Sequence, residues 1–75
     1  MVEEDKYWEE FCENAFMYHP PKDGQAERYV EIRDKAKELG LMICELCPDS
    51  SEKAYAISSL REAVMWANAS IACNE

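Results

Sequence analysis

Several features that announce an activity are scarce in this chain. Its single histidine, His19, has no evident nucleophile partner, and two glycines in 75 residues cannot build a Gly-rich phosphate cradle. Ser50, Ser51, Ser58 and Ser59 read as cap and helix residues, so no catalytic residue and no enzymatic activity are expected. No stretch approaches the roughly 20 apolar residues of a membrane span, and Met1 to Glu13 is acidic where a leader would be basic and then apolar. The chain therefore reads as cytoplasmic. Cys12, Cys44, Cys47 and Cys73 are expected to remain thiols there, which makes disulfides a poor staple. Positive charge is also short, with 8 Lys and Arg against 16 Asp and Glu. A net charge of −8 argues against a general DNA or RNA binder, which needs clustered cations to displace counterions.

What is present is apolar side chains, 48% of the total, at helical spacing. The expectation is an all-α fold: one domain over residues 1–75, with an N-terminal helix within 1–18, a Pro-rich loop at 18–24, and a helical hairpin at 25–47 and 50–73. So small a chain buries little surface and needs a metal, a partner or a second copy to complete it. Charge is uneven. Residues 19–37 hold five basic and four acidic side chains, while both flanking segments are acidic, so only the middle segment suits a small anion.

The first helix, from about Glu3 to Phe16, sets Tyr7, Phe11 and Ala15 at i, i+4 spacing, with Trp8 and Cys12 one step around. It ends at MYHPPKDGQ, where Pro20 and Pro21 forbid helix and Gly24 adds a joint, so Tyr18 to Gly24 is expected to be stiff and extended. The second helix, from about Gln25 to Leu46, repeats Tyr29, Ile32, Ala36, Leu39, Ile43 and Leu46 in 3-4 spacing, and Pro48 stops it. Asp49 and Glu52 form a D-x-x-E capping pattern for the third, whose seam is Ile57, Leu60, Val64, Ala67 and Ile71. Matching seams and a short turn predict an antiparallel hairpin.

The third helix carries more than one seam can use. Tyr55, Ala63, Met65, Trp66, Ala69 and Ser70 fall beyond it, which predicts a homo-oligomer interface anchored by Trp66 and Met65 with Ala69 allowing close approach. The alternative is that the first helix covers Trp66 and Met65 within one chain. Asn68 could hydrogen-bond across such an interface.

The strings LREAVMWANASIA and YHPPK, within residues 13–75, closely resemble the anti-CBASS nucleotide-sponge family of small phage proteins, whose hairpin also occurs in Thoeris anti-defence sponges. The resemblance implies a hexamer, a trimer of dimers, that acts in the host cytoplasm by capturing cyclic oligonucleotide messengers, cyclic dinucleotides first and cyclic trinucleotides second. No cofactor is implied. For a ligand with two bases and two phosphates, Tyr18 is the candidate for stacking, Pro20 an apolar wall, and Arg28, Arg33 and Lys37 the cations. His19 completes the candidate set. Several have a plainer role: Tyr18 as a loop staple, His19 as a loop hydrogen-bonding residue, and Arg33 and Lys37, with Lys35, as ion-pair partners of Glu31, Asp34 and Glu38 on a solvated face. Relatives commonly carry Arg at the place of Cys73, where it serves a trinucleotide pocket on the three-fold axis, so that pocket is in doubt here.

Two rivals remain. Cys44 and Cys47 have C-x-x-C spacing and could join Cys12, Cys73 and His19 around zinc, although i, i+3 spacing equally describes two core-facing residues, and no metal site is expected. The other is a helical protein-protein interaction module with no nucleotide ligand.

Overall fold

The computed structural model describes residues 2–75, with side chains from Lys6 onward; Met1, the start of the expected N-terminal segment, lies outside them. Three helices follow one another: α1 (Val2–Ala15), α2 (Gln25–Leu46) and α3 (Ser51–Asn74). No strand occurs among the described residues. The 3-4 apolar repeats of α2 and α3 face each other across the four residues 47–50, giving the expected antiparallel hairpin.

The seam on α2 is Tyr29, Ile32, Ala36, Gly40 and Ile43, each half-buried, against Ile57, Leu60, Val64, Ala67 and Ile71 on α3. Leu39 and Leu46, expected in this seam, are exposed at 45% and 71%. An untwisted helix at 3.6 residues per turn drifts off a strict heptad, and after Ala36 the residue that returns to α3 is Gly40. Gly40 packs against Leu60, whose Cδ2 would lie at an ordinary contact distance, 3.7 Å, from an added Cβ.

The turn is built by hydrogen bonds that the prolines and caps dictate. Cys47 leaves the helix in an extended conformation, its N–H donating to Ile43 O at 3.0 Å. Pro48 has no N–H to offer the carbonyl of Cys44, and Lys53 Nζ supplies the donor at 3.0 Å. Ser50, not Asp49, is the cap of α3: its Oγ accepts from Lys53 N at 3.0 Å. The cap must directly precede the first helical residue, Ser51, which leaves Asp49 one position too early. Asp49 instead accepts from Lys53 Nζ at 3.0 Å, and this bond is the main reason the lysine's pKa is raised.

Among the described residues no apolar side chain is fully buried, and the one buried residue is Gln25, at 3% exposure. The radius of gyration is 16.7 Å, where a compact chain of this length has about 11 Å. The molecule measures 51 × 33 × 14 Å, the thickness of a single layer of helices.

Two substitutions test this account. Ser50→Ala removes the cap and should lower stability by about 0.5–2 kcal/mol. Gly40→Ala adds only an ordinary contact to Leu60 while removing a helix-interior glycine, and should raise stability by about 0.5–1 kcal/mol. Urea unfolding followed by circular dichroism checks both, and a loss of stability in Gly40→Ala contradicts the seam described.

Candidate functional site

Phe16 to Gly24 crosses from α1 to α2 without regular structure apart from a turn at each end. Tyr18 projects from it with 79% of its surface exposed. His19 is half-buried, its Nε2 2.7 Å from the carbonyl oxygen of Asn14, which suits the tautomer with the proton on Nε2. It thus makes the loop hydrogen bond considered for it. Pro20 is exposed beside it. Gly24, at φ +82°, turns the chain into α2 through the left-handed region that a side chain disfavours.

The start of α2 is bound to the end of α3 by one carboxylate. Arg28 forks onto Glu75, Nη1 donating to Oε2 at 2.7 Å and Nη2 to Oε1, while its Nε donates to Gly24 O at 3.3 Å. Gln25 Nε2 donates to Glu75 Oε1 at 3.1 Å, and Lys22 Nζ donates to the backbone oxygen of Glu75. Gln25 also accepts from Lys22 N through Oε1 at 3.0 Å. The Arg28 hydrogen bonds, then that of Gln25, hold the Glu75 carboxyl at a pKa of about 2, and the same contact raises Arg28. A phosphate seeking Arg28 must compete with Glu75 for it.

Arg33 and Lys37 lie one turn apart farther along α2, Arg33 about 12 Å from its start at 1.5 Å per residue. Both border an apolar groove of about 350 Å3 whose floor is Ala36, Gly40, Leu60 and Val64 and whose far rim is Arg61. Among the described residues none of these three cations has an ion-pair partner, whereas Lys35 meets Glu38 at 3.6 Å. The six candidates thus fall into two clusters within one chain, the loop with Arg28 and the groove with Arg33 and Lys37. Arg61 was not foreseen, although as a cation at i+4 from Ile57 it could have been found by winding α3 against α2.

On α3, Trp66 and Met65 are exposed at 68% and 61%, and Trp66 Nε1 donates to Glu62 at 3.2 Å. The first helix therefore does not cover them. Ala69 is half-buried in a second groove, of about 540 Å3, between Phe11 of α1 and Trp66, with Cys73 at its end. Asn68 buries an amide oxygen that has no donor among the described residues. Cys44 and Cys47 are exposed, so they do not face a core, and the described residues hold no cluster of three or more metal-ligating side chains. Among the described residues no helix is long and apolar enough to cross a membrane.

The Glu75 clasp predicts a pH signature. Its carboxyl drops from an ordinary 4.5 to about 2 on folding, so its contribution is complete above the unfolded value and is lost as pH falls toward 2. The urea midpoint of the wild type should exceed that of Glu75→Gln by a constant margin at pH 6–8, and the margin should shrink steadily from about pH 5 to about pH 2. A margin independent of pH contradicts the ion pair.

Among known protein families, the Acb2/Tad1 hairpin domain matches residues 9–72, which take in the last turns of α1, the loop and nearly all of the hairpin. No curated protein and no solved structure matches the chain. The matched span contains both YHPPK and LREAVMWANASIA, and with the helical hairpin it places this chain in the Acb2/Tad1 hairpin family, the phage sponges directed against CBASS and Thoeris defence.

Proposed function

We propose that the protein sequesters cyclic oligonucleotide messengers, cyclic dinucleotides above all, in the host cytoplasm and so blocks anti-phage signalling by stoichiometric capture, without catalysis or cofactor. Membership of the sponge family over residues 9–72 carries this reading. In it, Tyr18 stacks on a base, Pro20 and His19 line the loop side, and Arg33 and Lys37 meet phosphate; Arg28 joins them only by leaving Glu75. The loop and groove clusters are separate in one chain, and in this reading residues of a second copy complete a shared pocket.

Surface area supports such an assembly. The chain exposes 6450 Å2, where a compact monomer of its mass exposes about 4,700 Å2. The difference, about 1,700 Å2, is about twice the ~800 Å2 that each partner gives to a standard protein-protein interface, as expected of a chain with more than one neighbour. Trp66, Met65 and Ala69 are the proposed contacts, in a hexamer built as a trimer of dimers. An affinity high enough for capture, about −12 kcal/mol for a nanomolar complex, also favours a pocket enclosed by two chains.

Calorimetry with a panel of cyclic di- and trinucleotides, alongside light scattering, tests the proposal. The expected result is tight dinucleotide binding by a particle several times heavier than 8.7 kDa. Tyr18→Ala should weaken binding at least about tenfold by losing a stacking contact, and Arg33→Glu should weaken it as strongly, with the assembly mass unchanged. A chain that binds no cyclic nucleotide, yet retains its exposed α3 face in a complex with another protein, would support the interaction-module reading instead.

Cys73 sets a second expectation. A ring of three neutral thiols lacks the charge-assisted hydrogen bonds that guanidinium groups give phosphates, each worth about 1.5–3 kcal/mol. Cyclic trinucleotides should bind weakly, and Cys73→Arg should strengthen them without changing dinucleotide affinity. Tight trinucleotide binding by the unaltered chain, with no gain in Cys73→Arg, contradicts this.

A further inference from the structure

Both ends of the Tyr18 loop are tied to one place, the last turn of α3. On the α1 side, Asn14 Nδ2 donates to Cys73 O at 2.8 Å while the carbonyl of Asn14 receives His19. On the α2 side, Lys22, Gln25 and Arg28 all converge on Glu75. The last carbonyls of a helix lack intrahelical partners and carry the negative end of its dipole, so an amide and an ammonium are fitting donors there. Between the tied residues His19 and Lys22 lie only Pro20 and Pro21, whose rings fix φ. Tyr18 lies in the short segment between Asn14 and His19, which their hydrogen bond closes and the rigid prolines follow.

We propose that the last turn of α3 is the positioning element of the binding loop, with Glu75 and Asn14 as positioning residues that hold Tyr18 in its ligand-ready place without touching ligand. The proposal rests on the reading of Tyr18 as the stacking residue. A loop ordered beforehand does not have to be ordered by the ligand, so the clasp raises affinity by lowering that entropic cost. It also gives the buried Gln25 its purpose: two of its hydrogen bonds join the loop's end to Glu75.

The test combines amide hydrogen exchange with binding of a panel of cyclic dinucleotides, in the wild type, Glu75→Ala, Glu75→Gln, Asn14→Ala, Tyr18→Ala and the Tyr18→Ala/Glu75→Ala double variant. Exchange at Phe16, Lys22 and Gln25, whose N–H groups donate to Cys12 O, Gln25 Oε1 and Lys22 O, should rise about tenfold or more in Glu75→Ala and Asn14→Ala, with the α2–α3 seam still protected. Affinity should fall about tenfold in Glu75→Ala and less in Glu75→Gln, which keeps hydrogen-bonding atoms but not the charge. Because Glu75 acts through Tyr18, its removal should cost little more once Tyr18 is gone, so the two losses should not add. Additive losses, or unchanged loop exchange in both Glu75→Ala and Asn14→Ala, overturn the proposal. If the wild type binds no cyclic dinucleotide, the sequestration reading fails, and unchanged exchange would separately overturn the clasp while increased exchange would retain it as a loop-ordering device.

Discussion

A layer of helices one element thick has no interior, and this limit shapes every other feature of the molecule. Two helices can shield each other along one stripe only, so Tyr29, Ile32, Ala36 and Ile43 reach half-burial and no further. The hydrophobic effect scales with area removed from water, and a seam of this kind removes too little to hold three helices and a nine-residue loop in place alone. Directed polar bonds take up the remainder at both ends of the hairpin. Lys53 ties the turn by serving Cys44 O and Asp49, and Glu75 ties the open end by receiving Lys22, Gln25 and Arg28.

These two ties act differently. Lys53 makes good a donor that Pro48 lacks, so it corrects a local deficit created by the chain reversal itself. Glu75 reaches a segment 47 residues away and repairs no backbone deficit of α2; it brings three separate side chains into register. Its ion pair, Arg28 with Glu75, is more than a third exposed on both sides, so solvent screening leaves it modest in stability. The value of such a contact lies in geometry, because a bidentate carboxylate–guanidinium fork fixes orientation as well as distance.

Much of the fold was legible in the sequence because it follows from short-range rules. Prolines at 20, 21 and 48 set the breaks, and 3-4 apolar spacing set the two long helices to within a residue or two. The errors came where two local rules competed. Leu39 satisfied the heptad better than Gly40, yet helical drift and packing against Leu60 put Gly40 in the seam. Asp49 satisfied a capping box better than Ser50, yet the helix begins one residue later. The site was less legible for a different reason. Tyr18, Arg33 and Lys37 could be selected by residue type, but nothing local in Arg28 discloses that a carboxylate at the far end of the chain already holds it, nor that Arg61 shares the groove with Arg33 and Lys37.

That division of the cations bears on how so acidic a chain could hold an anion. Fields between exposed charges decay over about 8 Å at physiological salt, so a phosphate responds to its immediate neighbours and little to a net charge of −8. Near the loop, the positive charge of Lys22 and Arg28 is opposed by Glu75. Along the groove, Arg33, Lys37 and Arg61 border an apolar floor with no ion-pair partner among the described residues. Uncompensated cations repel one another across a half-open surface and gain most when a multiply charged ligand enters between them. The loop end is thus electrostatically satisfied and geometrically ordered, whereas the groove is ordered by its apolar floor and left electrostatically unsatisfied. The two surfaces differ in kind, one offering fixed geometry and the other free positive charge.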